Sequence, residues 1–293
     1  YNGDEKEITN IYIDNSEDKT IGLFVFLGYD GTVKNVIIYG KITQRIVSRS
    51  VGGIVGITDY DITNCKNKGE VTSNGNPENQ ANTQGTGGIA GKSRACIYYS
   101  SNEGTITSKG FYVGGILGVG GENTIVGQCY NKGSIEIEQN AAGGIVGLNA
   151  KGIWNSYNYL GEGKKIQANY NVGGIMGNAG SIPTQIVNCY SIGENIIGES
   201  NAAILGAWFV DGINIANCYY LDTSALNGTG NNYTGSLSQS KIYKKSINNF
   251  KADINNNQSV VYNLYNSGGG NGIGLWVQQT GVNNDFPYLV NCR

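Results

Sequence analysis

Gly52-Gly53-Ile54-Val55-Gly56 is the stretch whose reading decides the fold, because it returns along the chain. The copies are Gly87-Gly88-Ile89-Ala90-Gly91, Gly114-Gly115-Ile116-Leu117-Gly118, Gly143-Gly144-Ile145-Val146-Gly147, Gly173-Gly174-Ile175-Met176-Gly177 and the weaker Ala202-Ala203-Ile204-Leu205-Gly206. A degenerate earlier copy is Ile21-Gly22-Leu23-Phe24. First glycines at 22, 52, 87, 114, 143 and 173, with alanine at 202, give steps of 30, 35, 27, 29, 30 and 29 residues. A period in this range means stacked supersecondary units that touch only their neighbours.

From 51 to 222 each unit carries three apolar ladders. The first is Ile54, Ile89, Ile116, Ile145, Ile175 and Ile204. The second holds Cys65, Ser100, Cys129, Ser156, Cys189 and Cys218, and the third Val71, Ile106, Ile135, Ile166 and Ile196. Three short strands per unit without a helical period is the pattern of an all-β parallel β-helix, a β-solenoid of one coil per unit. Six or seven coils at ~4.8 Å make a rod roughly 30 Å long. Ile62, Ile97, Ile186 and Ile215 precede the Cys/Ser position by three residues, so both can face inward only if the strand bends between them. A corner is therefore expected near Asn64, Asn155, Asn188 and Asn217, since Asn tolerates left-handed backbone. Asn67, Asn102, Asn131 and Asn158 are expected to form a further ladder at the next turn.

Residues 1–50 read as an incomplete first turn, and 1–222 as the repeat array. Asn74–Gln84 and Tyr159–Glu162 are insertions expected to protrude. After Asp222 the period fades. Ser240–Ile247 reads as a short helix, and the glycine run Ser267–Gly274 as a plain turn, because it lacks the Lys-Ser/Thr of a phosphate loop. The segment 223–293 reads as a C-terminal cap, which an open solenoid needs.

Composition narrows the function. Net charge is −2 and pI near 5.3, which gives nucleic acid no basic footprint. No apolar run is long enough to span a bilayer. The chain opens on Tyr1, holds one methionine, Met176, and reads as an excised or processed piece. Six cysteines without C-x-x-C pairs or histidine make a poor zinc site. They read as buried thiols, with a Cys189–Cys218 disulfide as the alternative.

Gly-Gly-Ile-Val-Gly followed by Asn-Cys-Tyr-Asn-x-Gly-x-Ile resembles the GLUG-motif repeat family over about residues 21–222. The tail, with Gly274-Leu275-Trp276 and Asn283–Leu289, is similar to the segment that often closes such arrays. The resemblance implies bacterial secreted or cell-surface proteins: adhesin-like molecules and the non-catalytic parts of IgA-cleaving metallopeptidases. It carries no catalytic residues, cofactor or metal over to this chain.

The absence of histidine removes Ser-His-Asp, Cys-His and His-Glu-x-x-His chemistry from this chain, and no enzyme activity is expected. The alternative is a carbohydrate-active β-helix, a polysaccharide hydrolase or lyase, with Asp59/Asp61, Glu136/Glu138 or Asp211 as carboxylates; a purely structural stalk is a third reading. Asp14-Asn15-Ser16-Glu17-Asp18 has oxygen ligands for calcium but reads better as a hydrogen-bonded turn. Binding fits best. Tyr130, Tyr157, Tyr190 and Tyr219 each follow the Cys/Ser ladder and so point outward, as a strip for a host or microbial surface glycan or protein or as a surface packed under loops or the cap. Val55, Ala90, Leu117, Val146, Met176 and Leu205 alternate with the Ile ladder and raise the same question, under a segment or exposed.

Overall fold

A computed structural model of the chain describes residues 1–17, 19–46, 50–74, 84–221, 226–252, 255–266 and 276–289. Its strands pair in parallel from coil to coil in two large sheets. One sheet carries the glycine-motif strands, from Phe24–Leu27 through Val55–Thr58, Ala90–Ser93 and Leu117–Gly120 to Ser200–Trp208. The other carries the second and third ladders, with Ile62↔Ile97, Ile97↔Val126 and Val126↔Ile153 in register. The third ladder aligns Val71, Ile106, Ile135, Ile166 and Ile196. This is the parallel β-solenoid of about seven turns that the repeat implies.

The interior is one column. Each motif isoleucine from Ile54 to Ile204 is fully buried, and so are Val55, Ala90, Leu117, Val146, Met176 and Leu205. The latter set lies neither under an inserted segment nor on an exposed stripe, because the chain turns a corner between each isoleucine and its successor. The hydrogen bonds display the corner: Ile89 O accepts from both Ile54 N (3.0 Å) and Val55 N (2.9 Å), and Ile116 O accepts from Ile89 N and Ala90 N at 3.1 and 3.0 Å. Two successive N–H groups converging on one carbonyl means the backbone has bent, so both side chains enter the core.

The second corner is where the sequence places it. Asn64, Asn155, Asn188 and Asn217 have φ of 52°, 48°, 55° and 51°, and Tyr99 and Gln128 fill the same position at 53° and 55°. Asn188 Nδ2 donates to Asn155 Oδ1 (3.2 Å) and Asn217 Nδ2 to Asn188 Oδ1 (2.7 Å). The next residue must be small and able to both accept and donate. Ser100 Oγ accepts from Cys65 N (3.1 Å) and donates to Tyr98 O (2.8 Å); Cys129 Sγ accepts from Ser100 N (3.4 Å) and donates to Gly127 O (3.3 Å). That shared geometry is why Cys and Ser alternate freely in this ladder.

Cys65, Cys129, Cys189 and Cys218 are buried free thiols, Cys96 is half-buried, and Cys189 and Cys218 are not bridged. Cys292 lies outside the described residues. Burial pushes the Cys65 thiol up to about 12 and raises Cys189 as well. Mass-resolved alkylation of the folded protein should therefore modify Cys96 well before these four. The folded pKa of Cys65 lies above its ordinary value of 9.0, so its contribution to stability is complete below about pH 9 and is lost as pH climbs towards 12. Urea unfolding should show this alkaline decline, and Cys65→Ser should make it shallower, the rest coming from other buried groups such as Cys189 and Tyr190.

Pairing continues past Asp222. Asn227–Asn232 adds to Ser200–Trp208 and Leu237–Lys245 adds to Ile213–Leu221, so parallel pairing with the array continues to 245. The helix expected over Ser240–Ile247 is thereby corrected: those residues up to Lys245 are strand, held by parallel pairing to the preceding coil. Helix α1, Ile247–Lys251, begins only after Ser246, whose Oγ accepts from Asn249 N at 3.3 Å as an N-cap. Helix α2 spans Val260–Asn266. Most of the Asn74–Gln84 insertion and the Ser267–Gly274 run lie outside the described residues. At Tyr159–Glu162 the insertion is anchored, with Leu160 buried and its N–H bonded to Ile192 O at 2.8 Å; only the turn after it reaches solvent.

Candidate functional site

The residue after each Cys/Ser points outward, and register places Lys66, Ser101, Tyr130, Tyr157, Tyr190, Tyr219 and Tyr243 in one row. Two residues further along, the same register sets Lys68, Glu103, Lys132 and Tyr159 side by side, with Ile192 next to Tyr159. The rings of Tyr130 and Tyr157 stack at 5.1 Å, Tyr157 and Tyr190 at 4.9 Å, and Tyr219 and Tyr243 at 5.4 Å.

Of the expected strip, Tyr130, Tyr157 and Tyr190 stack in turn and Tyr219 stands in the same row, but this is not an open surface: all four are buried. The C-terminal segment folds back along the side of the rod and covers them with Phe250, Val260, Leu264, Trp276, Phe286 and Leu289. Trp276 tilts against Tyr157 and Tyr190 at 6.0 and 5.6 Å, and Phe250 meets Tyr190 edge-on at 5.7 Å. Tyr190 Oη donates to Pro287 O, and burial raises this phenol well above its ordinary range. The C-terminal segment expected to close the end of the rod covers its side here. Trp276→Ala should remove about 3–5 kcal/mol from cap docking. Limited proteolysis should then release the segment after 245 while the repeat array stays intact.

The cover ends at Tyr130, and there the two rows turn from aromatic to charged. A cavity of about 440 Å³ lies at this edge, lined by Lys66, Glu103, Tyr130, Lys132 and Tyr157 from the rod and by Gln279, Val282, Asn283, Tyr288 and Leu289 from the cap. Its volume is that of a small-ligand site. Lys132 Nζ stands 5.1 Å and Lys66 Nζ 6.0 Å from the Tyr130 ring centre. Tyr130 Oη donates to Glu103 Oε1 at 2.7 Å, and Lys66 Nζ is 3.8 Å from the same oxygen. Burial lowers the pKa of Lys132 from the ordinary lysine value, opposed by Glu103 and reinforced by Lys66. Among the described residues no carboxylate lies within ion-pair distance of Lys132 Nζ.

The other candidates are held in local pairs. Asp59 meets Arg94 at 2.6 Å and Asp61 accepts from Cys96 N at 2.9 Å. Glu136 pairs with Lys165 at 3.0 Å, Glu138 with Lys109 at 4.0 Å, and Asp211 accepts from Ser236 at 2.7 Å. At the amino end, Asp14 takes a bidentate contact from Arg45, both distances 2.5 Å, which holds its carboxyl below the usual carboxylate range. Asn15 Oδ1 caps its own turn by accepting from Glu17 N at 3.0 Å, the hydrogen-bonded turn favoured over a calcium loop; Asp18 lies outside the described residues. No group of three His, Cys, Asp or Glu converges among the described residues. Of the residues lining this cavity, the sequence singles out Tyr130 and Tyr157 but not Lys66, Glu103 and Lys132, whose signal is the change of residue type along the two outward rows.

Comparison with known proteins agrees with the fold. The family model for the GLUG motif matches residues 48–72. The chain is similar in structure to the crystal structure of a "putative immunoglobulin A1 protease" from Bacteroides ovatus, with a TM-score of 0.54 and 18% identity, covering 100% of this chain and 77% of that one. No curated protein matches it by sequence. No helix among the described residues is long and apolar enough to cross a membrane.

Proposed function

We propose that this chain, a GLUG-motif solenoid, is the non-catalytic binding module of a bacterial secreted or cell-surface protein and acts in adhesion. The observation that carries the reading is the cavity at the free edge of the tyrosine stack, where an aromatic ring, two lysines and a carboxylate face a wall built by the cap. A solid column of stacked coils is a rigid support for such a site, with little reorganisation needed on binding. The ligand is a surface glycan or protein of a host or microbe. Against the carbohydrate-active alternative stands the dispersal of the acids, since glycosidase chemistry needs two carboxyls facing each other across a substrate.

The intact chain should bind one or more members of a glycan and surface-protein array, and Tyr130→Ala should abolish that binding while the circular dichroism spectrum is retained. Shortened saccharide products after incubation would overturn the non-catalytic reading. A chain that binds nothing on the array would overturn adhesion.

A further inference from the structure

We infer that the cavity beside Tyr130 takes an acidic saccharide, its anionic group, carboxylate or sulfate ester, seated between Lys66 and Lys132; this rests on the cavity being the ligand site. The first argument is charge. Two ammonium groups face one carboxylate, Glu103, and that carboxylate is already engaged by Tyr130 Oη at 2.7 Å and by Lys66 at 3.8 Å. Among the described residues Lys132 makes no ion pair; its ammonium stands 5.1 Å from the ring centre of Tyr130, and Glu103 acts on it only at longer range. A half-buried ammonium without a contacting counter-ion is unfavourable, and an anion arriving there gains a charge-assisted bond in a partly dehydrated site.

The second argument is the opposite wall. Val282 and Leu289 give it an apolar surface, while the exposed Gln279 uses its Oε1 to accept from Tyr288 Oη at 3.2 Å. Asn283 leaves its Oδ1 buried without a partner among the described residues. Amide donors and acceptors beside an aromatic and apolar patch match the alternating hydroxyl and C–H faces of a sugar ring better than they match an aliphatic acid.

The test is calorimetric titration of the intact chain with three probes: a glucuronate-containing tetrasaccharide, its carboxyl-reduced neutral counterpart and a 6-sulfated neutral tetrasaccharide. At low salt the acidic probes should bind about ten-fold or more tightly than the neutral one, and the gap should narrow as salt is raised. Which of the two acidic probes binds more tightly distinguishes the carboxylate from the sulfate. Lys132→Gln should erase the preference for the acidic probes, with Lys66→Gln as a second variant. Glu103→Gln should strengthen acidic binding, a gain that a merely structural role for Glu103 does not produce. Equal binding of acidic and neutral probes would overturn the inference and leave the adhesive reading standing. An acidic peptide binding at Lys132 where saccharides do not would overturn the sugar assignment. Failure of every probe would overturn the inference, while the adhesive reading is decided by the glycan and surface-protein array.

Discussion

Gly115→Ala should cost about 3 kcal/mol or more, the upper range for overpacking, and lower the urea midpoint accordingly. A β-carbon there would sit 2.1 Å from Gly144 O and 2.6 Å from Asn131 Cγ. Neither neighbour can retreat: Gly144 belongs to the motif of the next coil, and Asn131 is fully buried and bonded on both sides. The same opposition recurs in every regular coil, with Gly53 against Asn67, Gly88 against Asn102 and Gly144 against Asn158. Thus the second glycine of the motif is fixed by close approach across the core, not by unusual φ. Gly161→Ala is the control. Its β-carbon would find only Tyr159 Cε1 at 3.8 Å, so its stability should change by no more than a few tenths of a kcal/mol.

The second large effect is expected at the asparagine ladder. Asn67 Nδ2 donates to Asn102 Oδ1 (2.7 Å), Asn102 to Asn131 (2.8 Å) and Asn131 to Asn158 (2.9 Å). Each amide also closes its own turn: Asn131 Nδ2 reaches Gly133 O at 3.0 Å and Asn131 Oδ1 accepts from Gly133 N at 3.2 Å. Asn131→Ala removes all four bonds and leaves buried donors and acceptors on both adjacent coils, a loss of roughly 3 kcal/mol or more. Asn158→Ser should cost less, because the chain already ends the ladder this way, with Asn158 Nδ2 against Ser191 Oγ at 3.4 Å. Chemical denaturation of the two variants, side by side, checks the order.

These two positions also explain what the sequence reveals and what it conceals. Ladders are legible because like stacks on like at one coil per repeat, so Ile54, Cys65, Asn67 and Val71 announce their neighbours by period alone. The Asn64 corner is legible because two inward residues at odd spacing force a bend. The Gly-Gly-Ile corner is less so: Val55 follows Ile54 directly, and alternation sends it outward unless the backbone turns, which only the shared Ile89 carbonyl reveals. Where the pairing rule lapses, the sequence lapses with it, as Ala203 replaces the second glycine in the coil where Tyr220 stands in the asparagine position. The cap was the least legible part. Phe250, Trp276 and Leu289 carry no period, and their docking on Tyr157 and Tyr190 is a non-local contact that repeats cannot encode. For that reason the sequence alone does not disclose the cavity and its Lys132, although the row from Tyr157 to Lys66 changes character where the cover stops.

The central claim is that identical positions pile up along one axis at the spacing of neighbouring strands. Thr72 and Ile197 lie on one outward row, four coils apart through Thr107, Glu136 and Gln167. Spin labels introduced there as non-canonical amino acids, leaving the native cysteines in place, should report by pulsed dipolar spectroscopy a single narrow distance near ~20 Å, four strand spacings. A broad distribution, or a mean well beyond 30 Å, would mean that the coils do not stack in this register and would contradict the solenoid, the covered tyrosine row and the cavity together.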